Sequence, residues 1–213
     1  LKRFSKIIFL GFSIDEQVTK KMMLVGNPIK QSKESSLGTQ RHESPKIYVT
    51  GGSQGSEFIN KNIPIALNAL NIPLEVRHQS GHGKSIGVKE LYSSNISVEV
   101  EEFYDSPHDV ILWSDFIISR AGALSLSEAI SLKRGLVIIP LPSAVDNHQL
   151  LNAKNIVNLD MGLIHEESQA IKSLTQKLQK VIEAKVYEQW SNKESNLDHF
   201  QAATRMLSSI LKF

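Results

Sequence analysis

The stretch KIYVTGGSQGS, at residues 46–56, joins a short apolar run to a glycine-rich turn. Residues 56–70 follow with apolar side chains at spacings of three and four, which predicts a helix with one buried face. Pro64 lies inside this helix, so we expect a kink or a break there. A strand, a turn and a helix in direct succession are typical of parallel sheets, because parallel neighbours need a crossover connection.

The same alternation continues along the chain on both sides of this stretch. Strands are predicted at 46–50, 74–78, 97–101, 116–119, 136–139 and 162–165. Helices are predicted at 56–70, 84–92, 107–114, 123–133, 147–156, 168–183 and 187–212. This order predicts an α/β fold, a parallel sheet with helices on both faces. Ligands bind such folds in the loops at the carboxyl ends of the strands.

The composition excludes several classes of function. With no cysteine in 213 residues, the chain has neither disulfides nor thiolate metal sites. No apolar run reaches the roughly 18–20 residues that span a bilayer. A net charge of +2 does not by itself indicate nucleic-acid binding.

The opening residues LKRFSKIIFLGF lack a small-residue cleavage site, which disfavours a signal peptide. The initial Leu1 suggests that upstream residues are missing.

The basic residues are unevenly distributed. Residues 1–50 carry nine Lys or Arg and four Asp or Glu, whereas the rest of the chain is net acidic. One interpretation is a solvated basic surface. The other is attraction toward anionic lipid headgroups or a diphosphate substrate.

The first candidate loop directly follows the strand at 46–50. Its members are Gly51, Gly52, Ser53, Gln54 and Gly55. Glycines allow the backbone to approach an anion closely, and the amides and dipole of the following helix favour a phosphate. The loop matches neither GxGxxG nor a Walker A sequence, so a tight turn that binds nothing is the alternative.

The second candidate loop opens the sequence SRAGALSLSE at 119–128. Gly122 permits close backbone approach, and Glu128 lies one turn into the predicted helix. A carboxylate at that position can accept two hydrogen bonds from a vicinal diol such as a ribose. Alternatively, Glu128 complements the helix dipole or forms a capping box with Ser125.

The third candidate loop lies within PLPSAVDNHQLLNA at 140–153. Asp146 is predicted to cap the next helix. Gln149 and Asn152 are three residues apart and share a helix face, which suits a ligand rich in hydroxyl groups. His148, beside them, is interpreted either as a base or as a surface residue.

Two histidines have the spacing of metal ligands without the context. His78 and His82 are four residues apart, but the intervening Gly81 disfavours a shared helical face. No carboxylate or third histidine is placed to complete a site, so no metal is predicted.

Six segments in this order resemble the MurG family, the GT-B glycosyltransferases that add N-acetylglucosamine to the lipid-linked precursor of peptidoglycan. They are GNPIK at 26–30, GGSQGS at 51–56, HQSG at 78–81, EEFYD at 101–105, SRAGALSLSE at 119–128 and HQLLNA at 148–153. The resemblance implies the GT-B C-terminal Rossmann-like domain, with UDP-N-acetylglucosamine as donor and without a cofactor or a metal.

The resemblance also implies roles for individual residues. Ser53 is expected to contact the phosphate region of the donor, and the backbone of Tyr104 to contact the uracil. Glu128 is expected to bind the ribose, and Gln149 and Asn152 are expected to bind the sugar. The segment that wraps the diphosphate is Ala123, Leu124, Ser125, Leu126 and Ser127. Lys30 replaces the family's arginine, which keeps the charge of a phosphate-binding residue but loses its bidentate geometry. Lys133 stands where the family has a helix-ending glycine, and we expect a modest penalty if that position is left-handed.

The family members are longer than this sequence, and the resemblance divides it into four parts. We expect 1–30 to be a remnant of an N-terminal domain and the crossover, and 31–45 a polar linker. Residues 46–186 form the UDP-sugar-binding domain, and 187–213 a helix returning toward the N-terminal domain. The catalytic residues and the site for the acceptor, an undecaprenyl-diphosphate-linked muramoyl pentapeptide, are expected in the missing N-terminal half. The transfer would be inverting, at the cytoplasmic side of the bacterial membrane, with peripheral attachment to its anionic surface.

Two other functions remain open. A UDP-N-acetylglucosamine 2-epimerase has a similar architecture, although its acidic and histidine residues have no clear counterparts here. A UDP-sugar-binding subunit of a split glycosyltransferase would need a separate partner chain. A NAD-binding Rossmann domain is disfavoured, since neither GxGxxG nor its ribose-binding acid follows the first strand.

Overall fold

A sheet of six parallel strands forms the centre of the computed structural model, which describes residues 4–14, 19–30, 44–193, 195 and 197–211. The strands are β3 (Lys46–Thr50), β4 (Leu74–Gln79), β5 (Ile96–Glu101), β6 (Phe116–Ser119), β7 (Gly135–Ile138) and β8 (Gly162–Ile164). Two further strands, β1 (Ile8–Leu10) and β2 (Met22–Leu24), pair in parallel as a separate small sheet. The predicted linker 31–45 lies, except for its last two residues, outside the described residues.

Eight α-helices are assigned within the described residues. They are α1 (Glu57–Asn68), α2 (Ser85–Lys89), α3 (Pro107–Trp113), α4 (Ala123–Ser131), α5 (His148–Asn158), α6 (Ile171–Glu183), α7 (Val186–Ser191) and α8 (Ala202–Ile210). All six predicted strands of the main sheet are present, with ends that differ by one residue at most. None of the described helices is both long and apolar enough to cross a bilayer.

The central sheet is covered on both faces, because neighbouring residues of each buried strand point to opposite sides. On β3, Ile47 and Val49 belong to a core that also contains residues of α1, α6 and α7. Tyr48 belongs to a second core, shared with residues of α3, α4 and α5. The predicted α/β fold, a parallel sheet with helices on both faces, is confirmed.

The strand order places a crevice at the middle of the sheet. The sheet runs β5-β4-β3-β6-β7-β8, so the chain moves outward in one direction from β3 and in the other direction from β6. The connections that leave these two neighbouring strands therefore diverge at the carboxyl edge of the sheet. Such a reversal is where open parallel sheets bind ligands.

The small sheet is joined to the rest of the structure near residue 27. The Asn27 backbone N–H donates to Nδ1 of the buried His199 at 2.9 Å, and its side-chain amide donates to Ser127 Oγ at 2.9 Å. Arg205 on α8 donates to the Val25 carbonyl at 3.1 Å. The boundaries assigned to the N-terminal remnant and the final segment stay predictions.

The prediction of a single helix at 187–212 is wrong. The described residues of this segment form two helices, α7 and α8, with a short 3-10 turn at His199–Gln201 before α8. Trp190 belongs to the core on one face of the sheet, whereas Phe200 packs against the core on the other face, and one straight helix cannot reach both. At Pro64, α1 continues without a break to Asn68, and the kink expected there as the alternative stays a prediction.

The left-handed conformation considered for Lys133 is present in the structure. Lys133 follows the end of α4 with a φ of 56°, in the left-handed region. This conformation is disfavoured for a residue with a Cβ, which is why glycine is common at such positions.

Candidate functional site

Two adjoining cavities lie at the carboxyl edge of β3 and β6. The larger has a volume of about 750 Å³ and the smaller about 130 Å³. Both are lined by Thr50, Gly52, Ser53, Ser119 and Ser125, so they form two compartments of one crevice. The strand-order reversal thus coincides with a space large enough for a ligand.

The glycines of the first loop serve two different purposes. A Cβ on Gly55 would lie 2.0 Å from the Ser80 carbonyl oxygen, and one on Gly81 would lie 2.6 Å from the Gln54 carbonyl oxygen. These two glycines therefore allow the loops after β3 and β4 to pack together. Gly52 has a φ of 85° and open space around its Cβ position. At Gly52 the backbone is accessible from both cavities, as the anion-binding interpretation requires.

The N-terminus of α1 is capped in part by protein groups. Ser56 Oγ accepts from the Ile59 backbone N–H at 3.3 Å and from Arg120 Nη2 at 2.6 Å. Gly51 lies against this turn, since its Cβ would be 2.3 Å from the Ser56 nitrogen. Ser53 and Gln54 are exposed at the crevice. Ser56 thus caps the Ile59 amide, whereas the Glu57 and Phe58 amides form no hydrogen bond within the described residues, and the anion site at the start of this helix stays a prediction.

The N-terminus of α4 is open. Its N-cap is Gly122, which has no side chain to accept from the first-turn amides, and the first N–H that bonds back to it belongs to Leu126 at 3.0 Å. Gly122 and Ser125 both line the larger cavity. Unsatisfied amides and the positive end of the helix dipole therefore face the crevice, an arrangement that favours an anion.

The predicted diphosphate-wrapping segment divides between cavity and core. Ser125 lines both cavities, and Ala123 and Leu124 flank it in the first turn of α4. Leu126 and Ser127 are fully buried, and Ser127 Oγ donates to the Ala123 carbonyl at 2.8 Å. The Leu126 and Ser127 side chains therefore stabilise the helix, and their predicted contact with a ligand stays a prediction.

Glu128 lies in the wall of the smaller cavity with its carboxylate free. Within the described residues it makes no hydrogen bond or ion pair, and burial raises its pKa, against a smaller opposing effect of His108. Because the helix begins at Ala123, Glu128 is too far along it to form the capping box with Ser125. A partly desolvated carboxylate with unused acceptor capacity is suited to a ligand that donates hydrogen bonds.

The side chain of Phe103 forms another part of this wall and is 55% exposed. Tyr104, the predicted uracil contact, does not line either cavity. Its backbone N–H lies 3.4 Å from Gln79 Oε1, and its ring makes an edge contact with Tyr48. Phe103 thus offers an aromatic surface to a planar ligand, while the Tyr104 assignment stays a prediction.

The third loop differs from the sequence interpretation at the start of α5. Asp146 is not the cap, because Asn147 occupies that position, and both have left-handed φ values near 52° and 53°. Gln149 Oε1 accepts from the backbone amides of Ala121 and Leu141, at 3.2 and 3.0 Å. Asn152 donates to the Ala121 carbonyl at 3.1 Å. These side chains tie two loops together, and only Gln149 also lines the larger cavity.

Lys30 is exposed and lines neither cavity. Its predicted contact with phosphate therefore stays a prediction. His148 is also exposed, with Nδ1 2.8 Å from the Val145 carbonyl oxygen, and the structure does not bring it into the crevice.

A buried polar network lies beneath the loop after β4. His78 Nε2 lies 3.1 Å from Asn60 Oδ1, and His78 Nδ1 lies 2.8 Å from the Tyr92 hydroxyl. Asn60 also donates to the Ser80 carbonyl at 2.8 Å. Its amide oxygen is therefore left to accept from Nε2, so Nδ1 accepts from the tyrosine. Both ring nitrogens of His78 are thus engaged within the protein, and His82 instead pairs with Glu102.

This network predicts a loss of stability in acid. Burial lowers the pKa of His78 from 6.5 to about 3, so below pH 6.5 the unfolded state binds a proton that the folded state excludes. The free energy of unfolding should fall by up to about 1.4 kcal/mol per pH unit from this residue between pH 6 and 4. Urea denaturation at several pH values measures it. His78→Gln should make the free energy of unfolding less dependent on pH, whereas the control His148→Gln, at an exposed position, should leave the dependence unchanged. If wild type and His78→Gln lose stability equally in acid, His78 is not the cause.

Phe103, Arg120 and Glu167 are among the cavity-lining residues that were not predicted from the sequence. Phe103 is detectable in retrospect as an aromatic residue in a loop after a strand. Arg120 and Glu167 line the larger cavity and form an ion pair across 47 residues of sequence. No local pattern reveals such a long-range pair.

A known protein family matches the part of the chain that forms the central sheet and the crevice. A model of the glycosyltransferase family 28 C-terminal domain matches residues 46–206, which include the whole central sheet and both cavities. The chain belongs to that family. The residues that match the family model thus include the loops after β3 and β6, which line the crevice.

Family 28 relatives of known name are similar along most of the chain. The UDP-N-acetylglucosamine–N-acetylmuramyl-(pentapeptide) pyrophosphoryl-undecaprenol N-acetylglucosamine transferase of Aeromonas hydrophila is 33% identical over 162 residues, covering 74% of this chain and 45% of that protein. The protein of the same name in Tolumonas auensis is 36% identical over 163 residues, covering 73% and 46%. The chain therefore spans about half the length of the curated relatives it matches.

Solved structures extend the comparison to the first 30 residues. MurG of Acinetobacter baumannii superimposes with a TM-score of 0.81 at 25% identity, covering 100% of this chain and 62% of that protein. The predicted resemblance to the MurG family is confirmed. UDP-GlcNAc 2-epimerase of Neisseria meningitidis gives a TM-score of 0.61 at 18% identity, covering 80% of this chain and 45% of that protein, which shows a shared fold alone.

Proposed function

We propose that these residues bind UDP-N-acetylglucosamine as the donor half of an inverting glycosyltransferase. The acceptor would be the undecaprenyl-diphosphate-linked N-acetylmuramoyl pentapeptide of peptidoglycan synthesis. The observation that carries the donor assignment is the divided crevice, with a free carboxylate in its smaller compartment and an open helix N-terminus beside its larger one. The names of the family 28 relatives supply the sugar and the acceptor.

The smaller cavity suits the nucleoside. Phe103 offers a ring for stacking on the uracil, and Glu128 lies in the same wall with its acceptor capacity unused. An ionised carboxylate can accept hydrogen bonds from both hydroxyl groups of a ribose. This combination selects for a planar base joined to a vicinal diol.

The diphosphate would lie at the first turn of α4. The backbone amides of this turn have no capping side chain. Gly122 lines the larger cavity, and Ser125 lines both cavities. The helix dipole stabilises negative charge before reaction and stabilises it further as the bond to the sugar breaks. UDP is thereby made a better leaving group.

The sugar would occupy the larger cavity. Gln149 uses its side-chain oxygen to hold two backbone amides, which leaves its NH₂ group as a donor for a sugar hydroxyl. In the reaction, the acceptor hydroxyl attacks the anomeric carbon, the bond to the diphosphate breaks, and the configuration inverts. No histidine lines either cavity of the described structure, and we assign the base that accepts the hydroxyl proton to the other half of the enzyme.

Peripheral attachment to the cytoplasmic face of the membrane is part of the same proposal. Exposed Lys6, Lys20 and Lys21 lie in the same N-terminal part as the partly exposed Met23 and Leu24. Basic and apolar side chains together favour an anionic lipid surface.

Calorimetric titration of the 213-residue polypeptide with UDP and UDP-N-acetylglucosamine tests the donor assignment. Both should bind. ADP should bind at least about tenfold more weakly, because its larger base has less room in the smaller cavity, and uridine should lose most of the affinity because it lacks the diphosphate. The polypeptide alone should transfer little sugar to a lipid-linked acceptor. Failure of UDP to bind at millimolar concentration would refute the donor assignment, and full turnover would refute the assignment of the base.

A further inference from the structure

An ion pair lies in the wall of the larger cavity, outside the residues assigned above to the donor. Glu167 Oε1 is 2.5 Å from Arg120 Nη1, and the two side chains are 24% and 13% exposed. Both residues line the cavity. Charges that are this little exposed are screened much less by solvent and salt than surface charges.

The guanidinium of this pair is held in a fixed position. Arg120 Nη2 donates to Ser56 Oγ at 2.6 Å, and Nη1 lies 3.2 Å from the Ile139 carbonyl oxygen and 3.4 Å from that of Pro140. These contacts come from two different segments, one after β3 and one after β7. A ligand cannot draw Arg120 into the cavity without breaking several hydrogen bonds.

The backbone of Glu167 lies in a tight turn that directly follows β8. Gln169 N–H donates to the Glu166 carbonyl at 2.9 Å, and the Glu166 N–H lies 3.3 Å from Gln169 Oε1. The turn fixes the backbone from which the Glu167 side chain extends. Glu167 is the more exposed member of the ion pair, and it lines the cavity.

We propose that Glu167 makes the larger cavity selective for uncharged sugars and against sugars that carry a carboxylate. An anionic sugar would approach Glu167 in a partly desolvated space, where like charges repel more strongly than in water. Among the described residues that line this cavity, Arg120 is the one similarly buried cation, and it is the less exposed member of the pair, held away from a ligand by Ser56 and the Ile139 and Pro140 carbonyls. This inference rests on the proposed function, because it places the sugar of a nucleotide sugar in the larger cavity.

The other charged residues of this wall have little influence on the selection. Glu57 and Lys61 also line the cavity, but both are exposed and lie four residues apart on α1. Because both side chains are exposed, solvent and salt screen their charges more strongly than those of the buried pair. The buried pair therefore dominates the field that a sugar experiences.

UDP-glucose and UDP-glucuronate form a matched pair of probes, since they differ only in a hydroxymethyl or a carboxylate group on the sugar. The wild-type chain should bind UDP-glucose about tenfold or more tightly than UDP-glucuronate. Glu167→Gln removes the repelling charge and leaves Arg120 without its counter-ion, so the ratio should fall to about twofold or invert. Competition against a fluorescent UDP analogue measures both affinities.

Two variants and one condition serve as controls. Glu166→Gln removes the same charge from the exposed neighbouring residue and should keep the wild-type ratio. Glu167→Asp keeps the charge and should keep the discrimination. In wild type, the ratio should change less than about twofold from about 0.05 M to about 0.5 M salt, because a buried pair is weakly screened.

The outcomes separate this inference from the proposed function. If UDP binds and Glu167→Gln keeps the wild-type ratio, or if the wild-type ratio collapses in high salt, Glu167 does not select the sugar. Absence of discrimination in the wild type would overturn the inference equally. If UDP itself fails to bind, the proposed function is refuted and this inference with it.

Discussion

Replacing Glu128 by alanine is expected to weaken UDP binding by about a hundredfold, since each hydrogen bond to a charged group contributes about 1.5–3 kcal/mol. The carboxylate lies in the smaller cavity and is not engaged by any described protein group in a hydrogen bond or ion pair. Its full acceptor capacity is therefore available to the two ribose hydroxyls. Calorimetry with wild type and Glu128→Ala measures the difference directly.

Ligand analogues give this prediction its sharpest control. Wild type should bind 2′-deoxy-UDP about tenfold and 2′,3′-dideoxy-UDP about a hundredfold more weakly than UDP, whereas Glu128→Ala should bind all three alike. Glu128→Gln keeps the shape of the side chain and one acceptor oxygen, so its affinity for UDP should lie between the affinities of wild type and Glu128→Ala. A variant without the carboxylate that still discriminates among the three nucleotides would show that another group binds the ribose.

The pKa of Glu128 adds a dependence on pH. Burial raises this pKa above the ordinary range, and the hydrogen bonds from a ribose require the ionised form. UDP affinity should therefore fall as the pH drops into the acidic range, at a higher pH than for an unperturbed carboxyl group. Glu128→Ala should lose that part of the dependence.

The arrangement of the central sheet was predictable because its signals are local. Each buried strand is a short apolar run, as in the completely buried FIIS of β6, and each is followed by a loop and a helical pattern. Glycine at positions 52 and 122 correctly marked two places where backbone faces the crevice. The resemblance to the family, which has a glycine at this position, raised the left-handed conformation of Lys133, and the structure shows it with a φ of 56°.

The remaining features depend on contacts between distant parts of the chain. The final segment breaks because Trp190 and Phe200 pack on opposite faces of the sheet, which no helical periodicity reveals. Gln149 has the spacing of a sugar-binding residue, yet its oxygen holds two backbone amides that lie 28 and 8 residues away. The neutralised Arg120 is unpredictable for the same reason, because its partner comes from the loop after β8.

Gly55→Ala is expected to destabilise the fold by about 4 kcal/mol, through a steric conflict and a strained backbone together. The added Cβ would lie 2.0 Å from the Ser80 carbonyl oxygen, and the φ of 70° is itself unfavourable for alanine. Ser80 cannot move freely, since its carbonyl accepts from Asn60, its N–H donates to the Glu101 carbonyl, and its side chain is buried. Urea denaturation should show a midpoint shift of at least about 1 M.

Two other glycines separate the steric conflict from the backbone strain. Gly83 has a φ of 71° and Gly52 a φ of 85°, and neither has an atom within 4 Å of its Cβ position. Gly83→Ala and Gly52→Ala should therefore each cost about 1–2 kcal/mol from the backbone alone. Gly52→Ala should additionally weaken UDP binding, because Gly52 lines both cavities, whereas Gly83→Ala should not. Equal losses of stability for all three variants would mean that the loops after β3 and β4 do not pack as tightly as the distance between Gly55 and Ser80 implies.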